Sequence, residues 1–325
     1  MNDSFPTRSL YPFQNETGIS NRGGSLFGYV TRAIWKGIRS RFPLGMGING
    51  QTAVFGIIGQ PLDHSASPSM HGAAYLAHGL NAVYVPFPVT EFSQIPDALA
   101  GIRALAIKGI NVTVPYKEAV IPFLDHIDPV ALQMGSVNTI VNRHGQLTGY
   151  NTDGDGFVLS LQAALGWSPE DRSVAIIGSG GSARGIAFAL CRAGIRALYL
   201  HVRSLEKAGP LCHSLQKAYP HITIGMGDGA FTSVDSELVV QTTPVGMQGK
   251  EEGKLPVSDM DWVLPHHLIV DIVYRPSVTA FMAAAQSRGA RILGGAGMLA
   301  GQGMLAYELF TGRKVDYHTL KQGLM

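Results

Sequence analysis

Arg172-Ser-Val-Ala-Ile-Ile177 runs without a break into Gly178-Ser-Gly-Gly-Ser-Ala183, and the order of these two pieces decides the fold. An apolar, β-branched run closed by glycine reads as a fully buried strand. The apolar stretch 183–193 that follows reads as a helix, which completes the strand–turn–helix context in which a glycine-rich turn holds a dinucleotide. Gly178 permits the tight turn, Gly180 lets the backbone approach a pyrophosphate, and the small Ala183 lets helix pack on strand. The helix N-terminus then faces the phosphates with its unpaired N–H groups. Gly178, Ser179, Gly180, Gly181, Ser182 and Ala183 are therefore the candidate phosphate-binding residues.

On either side of this turn the chain alternates strand and helix patterns. Upstream, strands are expected at 53–58, 82–86 and 106–114, with helices at 67–79, 91–101 and 117–124. Downstream, strands are expected near 197–202, 222–225, 238–241 and 268–271. Strands separated by helices indicate parallel sheets. The fold class expected is α/β in two domains: an N-terminal α/β substrate domain with a mainly parallel sheet, and a Rossmann-like dinucleotide-binding domain. The hinge falls where loop 149–154 passes into a helix at 157–165, which places Asp153 at the interdomain cleft. A helical run at 298–310 has apolar positions that return it to the first domain. The expected boundaries are 46–152 plus 298–325 for the substrate domain and 153–297 for the cofactor domain.

A chain of 325 residues exceeds the usual single domain, which agrees with two domains of about 100–200 residues each. Hydrophobic residues make up 46% and charged residues 15%, the balance of a well-buried α/β protein. Net charge is +2, yet residues 1–45 hold six bases and two acids, so they carry +4 and the remainder carries −2. That remainder has no basic excess for nucleic acid, and a small molecule is the expected partner of a monomer or homodimer. Cys191 and Cys212 form neither a disulfide framework nor a metal-ligand spacing, and read as core thiols of a reducing compartment. No apolar run reaches the ~18 residues of a membrane span, and no secretory h-region opens the chain, so the cytoplasm is expected.

Residues 1–45 admit three readings. The segment 26–39 has the pattern of a basic amphipathic helix for a membrane surface, the acid-poor leader resembles a transit peptide, or the chain proper starts at Met46. The expectation adopted is a disordered or gene-model extension.

Lys117, in Asn111-Val-Thr-Val-Pro-Tyr-Lys117, and Asp153, in Asn151-Thr-Asp153-Gly, are joined by chain that can fold them together. An ammonium and a carboxylate converging in one cleft can move a proton on and off a substrate hydroxyl. Beside a nicotinamide site, that points to alcohol–ketone chemistry. A Lys opening a helix at 117 would stand at the wrong end of the macrodipole, which argues for a specific role.

Together with the two motifs above and the glycine turn, Ser65-Ala-Ser67-Pro68, Ser136-Val-Asn138-Thr139, Thr242-Thr-Pro-Val-Gly246, Asp271-Ile-Val-Tyr274 and Gly297-Met-Leu-Ala-Gly-Gln302 occur in one order across nearly all of 52–325. In this the chain resembles the shikimate dehydrogenase family. The resemblance implies reversible reduction of 3-dehydroshikimate to shikimate with NADP, NAD being the alternative cofactor. It implies that Ser65, Ser67 and Tyr274 hold the substrate carboxylate, hydroxyl donors suiting a carboxylate acceptor. Lys117 and Asp153 match the catalytic pair, with Asp153 also on a substrate hydroxyl. Thr113, Asn138 and Gln302 match positions on the ring hydroxyls, and Asn111 either joins them or only pins its loop.

The same resemblance assigns Arg203, Ser204, Lys207, Thr243, Ile272, Gly295 and Met298 to the cofactor. Val202-Arg203-Ser204-Leu-Glu-Lys207 departs from the family's Asn-Arg-Thr-x-x-Arg pattern at its first residue. Arg203 and Lys207 still suit a 2′-phosphate, and no acid stands at Val202, about 24 residues after Gly178, to hold an NAD ribose. Blander readings stand beside these: Ser67 as the cap of the helix it opens, Met298 as core, and His64, placed where it could touch substrate, as a loop residue. The rival activities are quinate/shikimate dehydrogenase and a non-catalytic sensor of the same fold. Both serines at 65 and 67 argue against the first, and the presence of Lys117 and Asp153 against the second.

Overall fold

The strand ahead of the glycine turn is β7 (Ser173–Ile177), buried at all five residues, and around it lies a six-stranded sheet. Its other strands are β8 (Ala197–His201), β9 (Thr223–Gly227), β10 (Leu238–Gln241), β11 (Leu268–Asp271) and β12 (Arg291–Gly294). Helices α5 (Gly181–Arg192), α6 (Leu205–Ala218) and α7 (Ala280–Ser287) connect them. The order is β12-β11-β10-β7-β8-β9 and every pairing is parallel. Counted from β7, this is the 3-2-1-4-5-6 order of a dinucleotide-binding sheet, whose switch point lies between its first and fourth strands. Ile177, Gln241, Asp271 and Gly294 are in register across the strand ends, so the loops that leave them open on one edge.

The first sheet has the order β2-β1-β3-β5-β6-β4, from β1 (Ala53–Gly59), β2 (Ala82–Pro88), β3 (Gly109–Val112), β4 (His126–Ile127), β5 (Thr139–Arg143) and β6 (Gln146–Tyr150). Three of its five pairings are parallel; β5 runs antiparallel to β3 and β6. The β5–β6 hairpin was not expected from the sequence. Its turn is His144-Gly145, both at positive φ (55° and 85°), the geometry a two-residue hairpin needs. Helices α1 (Ser67–Ala77), α2 (Ile95–Ala104) and α3 (Pro129–Met134) complete this half.

Three expected elements differ. Residues 117–124 form turns and one 3₁₀ turn, Ile121–Phe123, rather than an α-helix; Pro122 disfavours the α conformation at Ile121. The helix expected at 91–101 starts later, as α2 at Ile95, after a 3₁₀ turn closed by a Glu91/Gln94 capping box. The helix expected at 157–165 is α4 (Asp153–Leu165), so Asp153 opens a helix instead of ending a loop.

Two further helices, α8 (Ala296–Thr311) and α9 (Tyr317–Gln322), end the chain. Their Ala300, Tyr307, Tyr317 and Leu320 share one apolar core with Phe55, Met70, Tyr75 and Tyr84 of the first half. Phe157 and Leu161 of α4 belong to the core of the second sheet, while Leu159 packs on that of the first. The computed structural model describes residues 48–231, 235–249 and 251–324. The expectations for residues 1–45 lie outside the described residues.

Candidate active site

A cleft of roughly 420 Å³ opens where the ends of β1 and β3 face the loops of the second sheet. It brings together Ser65, Ser67, Thr113, Lys117, Asn138, Asp153, Tyr274 and Gln302, which is every residue expected on the substrate. Ser182, Ile272, Gly295 and Met298 reach the same cleft from the cofactor side. Two other hollows, of about 480 and 440 Å³, gather none of these residues.

Lys117 Nζ donates to Asp153 Oδ2 at 2.5 Å, with side chains only 18% and 9% exposed. Lys117 leaves a turn rather than a helix, and its backbone O accepts from Val137 N at 2.9 Å, which ties the turn to the segment that leads through Asn138 into β5. The concern over the helix macrodipole therefore falls away. Asp153 stands in the first turn of α4, where the partial positive charge of the helix end favours a carboxylate. Its backbone N–H donates to Asn151 Oδ1 and its Oδ1 accepts from Asn138 Nδ2 at 2.8 Å. A largely dry ammonium, oriented by a carboxylate, is equipped to give a proton to an oxygen in the cleft and to take it back.

Ser67 is the first residue of α1 and not its cap. Ala66 holds the cap position without a side-chain hydrogen bond, and Ser65 Oγ accepts from Ser67 N at 3.4 Å. The Ser67 hydroxyl lies instead near the phenol of Tyr84, whose pKa is pushed well above the usual range, chiefly by burial. Tyr274 Oη donates to His64 O at 3.4 Å, joining the loop after β11 to the loop before α1. Gln302 Nε2 donates to Leu299 O, which leaves its oxygen for the cleft. Asn138 spends both N–H groups inside the protein, on Thr152 Oγ1 and Asp153 Oδ1.

Behind Tyr274, Asp271 accepts from Val273 N at 3.0 Å and from Thr279 Oγ1 at 2.7 Å, and so pins both ends of the loop. Burial pushes its carboxyl up to about 6 against the opposing pull of those two hydrogen bonds.

On the cofactor side, Gly178 has φ +115°, and a Cβ there would stand 2.6 Å from Thr242 Oγ1, so no other residue fits. Gly180 holds the cap position of α5 without a side-chain hydrogen bond, and the space over Gly180 and Gly181 is open. Uncapped N–H groups facing open space suit a pyrophosphate. Gly178 N donates to His201 O at 2.8 Å, which brings the end of β8, and with it exposed Arg203 and Lys207, beside the turn. Two cations next to that turn, with buried Val202 rather than an acid at the strand end, fit the 2′-phosphate of NADP.

Some expected cofactor residues also have contacts within the fold. Ala183 is buried in the second core, as is Val202, the residue that departs from the family pattern, and Ser204 Oγ caps α6 by accepting from Lys207 N. Thr243 Oγ1 accepts from Val245 N and shapes its own loop. Leu62, His64, Met247 and Leu299 line the cleft without having been assigned to it from the sequence, His64 having been read as a loop residue. Leu299 lies inside a quoted motif and the others stand close to one, so adjacency was the available signal.

Profiles of known families match this chain in two places: "Shikimate dehydrogenase substrate binding domain" at residues 57–140 and "Shikimate 5'-dehydrogenase C-terminal domain" at 295–324. The chain is 42% identical to the shikimate dehydrogenase (NADP(+)) of Desulforamulus reducens, over 82% of this chain and 92% of the relative. It is 44% identical to that of Moorella thermoacetica, over 82% of this chain and 90% of the relative. A crystal structure of a shikimate dehydrogenase in complex with NADP+ superposes with a TM-score of 0.81 at 33% identity, covering 87% of this chain and 98% of that one.

Proposed function

This chain belongs to the shikimate dehydrogenase family, and from that premise we propose that it interconverts 3-dehydroshikimate and shikimate with NADP, Lys117 and Asp153 handling the proton. The observation that carries the assignment is the Lys117–Asp153 pair inside a cleft that also receives Ser182, Ile272 and Met298 from the dinucleotide sheet. The nicotinamide cofactor, when bound, supplies the hydride in one direction and accepts it in the other. Lys117 gives its proton to the carbonyl oxygen as that oxygen becomes a hydroxyl, and removes it in reverse. Asp153 holds the ammonium in place and accepts from a neighbouring substrate hydroxyl.

Ser65, Ser67 and Tyr274 donate to the carboxylate, and Thr113 and Gln302 meet the ring hydroxyls, which would be costly to bury unpaired. Asn138, with its donors spent, orients Asp153. The glycine turn at 178–183 receives the pyrophosphate, and Arg203 and Lys207 hold the 2′-phosphate.

The first sheet with α8 and α9 forms the substrate domain in this reading, residues 46–152 plus 298–325. Residues 153–297 form the cofactor domain, with α4 shared between the two cores. No helix among the described residues is long and apolar enough to cross a membrane. Two free buried thiols support a reducing cytoplasm, where the enzyme acts as a monomer or homodimer.

Lys117→Ala tests the assignment. kcat with shikimate is expected to fall by ~10²–10⁴-fold, as for a lost acid–base group, with NADP affinity unchanged. Turnover near wild type would sink the role given to the pair, and a higher kcat/KM with NAD than with NADP would overturn the cofactor.

A further inference from the structure

The two asparagines beside the catalytic pair are oriented by a run of hydrogen bonds that points one way. An ionised carboxylate only accepts, so Asn138 turns Nδ2 toward Asp153 Oδ1, at 2.8 Å. That leaves Asn138 Oδ1 toward Thr139, whose hydroxyl donates to it at 2.9 Å. Thr139 Oγ1 accepts in turn from Asn111 Nδ2 at 3.0 Å, and Asn111 Oδ1 accepts from Tyr84 Oη at 2.7 Å.

Each member is buried: Tyr84 is 8% exposed, Asn111 5%, Thr139 0% and Asn138 2%. No solvent can reverse the direction cheaply, because a flipped amide would set oxygen against oxygen at Asp153 and leave buried donors unpaired. The far end is braced by His71, stacked flat on the Tyr84 ring at 4.4 Å and 2°. Tyr84 and Thr139 stand behind the cleft wall and do not line it.

We propose that Tyr84 and Thr139 are positioning residues for the proton-transfer pair: the chain Tyr84–Asn111–Thr139–Asn138 fixes which edge of the Asn138 amide meets Asp153 and so holds the carboxylate in the pose that receives Lys117. This rests on the roles given above to Lys117 and Asp153. Thr152 N–H anchors the same Asn138 oxygen at 2.8 Å, so losing one hydroxyl loosens the pose without abolishing it.

The test compares three variants with Lys117→Ala assayed alongside. Thr139→Val keeps the shape and removes the hydroxyl, Thr139→Ser keeps the hydroxyl, and Tyr84→Phe keeps the ring on His71 and removes Oη. Thr139→Val and Tyr84→Phe are each expected to lower kcat by about ten-fold, the scale of one buried hydrogen bond. NADP affinity should stay unchanged, the KM for shikimate should move less than kcat, and Thr139→Ser should recover most of the loss.

Wild-type kcat in Thr139→Val and Tyr84→Phe would overturn the proposal, as would Thr139→Ser impaired as deeply as Thr139→Val, which would mark a packing effect. If Thr139→Val does not fold, Tyr84→Phe decides. A large loss in Lys117→Ala with unaffected relay variants removes the relay alone, whereas an active Lys117→Ala removes the reading beneath it.

Discussion

Asp271 shows what a single residue contributes away from the chemistry. Its carboxyl is held at about 6 in the fold against an ordinary 3.8, because burial penalises the charged form more than its two hydrogen bonds favour it. Between those two values the folded chain keeps a proton that the unfolded chain has released. Its contribution to stability is therefore complete below pH 3.8 and is lost as pH rises to about 6. The loss amounts to about 3 kcal/mol at 1.36 kcal/mol per pH unit. Asp271→Asn keeps an acceptor for Val273 N and cannot ionise, so its stability–pH curve should lack that fall. Urea unfolding of both proteins from pH 4 to pH 7 checks this, and parallel curves would refute it. Lys117, Asp153 and the two serines were legible as residues from their motifs. The orientation of Asn138 was not, since an amide's direction depends on partners the sequence does not order.

Helix α4 shows how packing overrides local propensity. Residues 149–154 were expected as a loop, yet α4 runs from Asp153 through Gly154 and Gly156, each glycine costing a helix roughly 0.5–1 kcal/mol relative to alanine. Tertiary contact explains their presence. A Cβ on Gly156 would lie 2.2 Å from Gln302 N, and one on Gly301 would lie 2.2 Å from Gly156 O, so α4 and α8 meet backbone to backbone. Gly156→Ala should cost about 1–3 kcal/mol as an overpacked contact. It should also lower kcat, because the same helices carry Asp153 and Gln302. Thermal unfolding together with steady-state rates measures both, and an alanine variant equal to wild type in each would show that the helices can part freely. The segment 117–124 fails in the opposite sense: its apolar spacing suggested a helix that Pro122 and the turn around Lys117 do not permit.

At the scale of the molecule, the site exists because two sheets present strand ends to one cleft. Residues 50–325 form one compact unit that contains every residue given a role above. A protein beginning at Met46 should therefore keep wild-type kcat and KM for shikimate, and a loss of activity on that truncation would tie the preceding residues to function. The hairpin β5–β6 was the largest element missed in the first sheet. It supplies Asn138 and Thr139 at its entrance, so the omission hid the relay along with the strands.

By itself the sequence determined five of the six strands of the dinucleotide sheet, all but β12, together with its glycine turn and the identity of the chemical groups, because those features are encoded over short runs: a buried strand by its apolar residues, a turn by its glycines, a motif by adjacent side chains. The meeting of Lys117 with Asp153 and the return of 298–310 to the first half were expected from the sequence, but only the tertiary structure decided that Tyr274 reaches the His64 loop across 210 residues, that α9 joins the core of the first sheet, and which edge of the Asn138 amide meets Asp153. Those contacts are selected by packing shape and by the rule that a buried carboxylate must find donors. Both depend on which surfaces meet once the chain has folded.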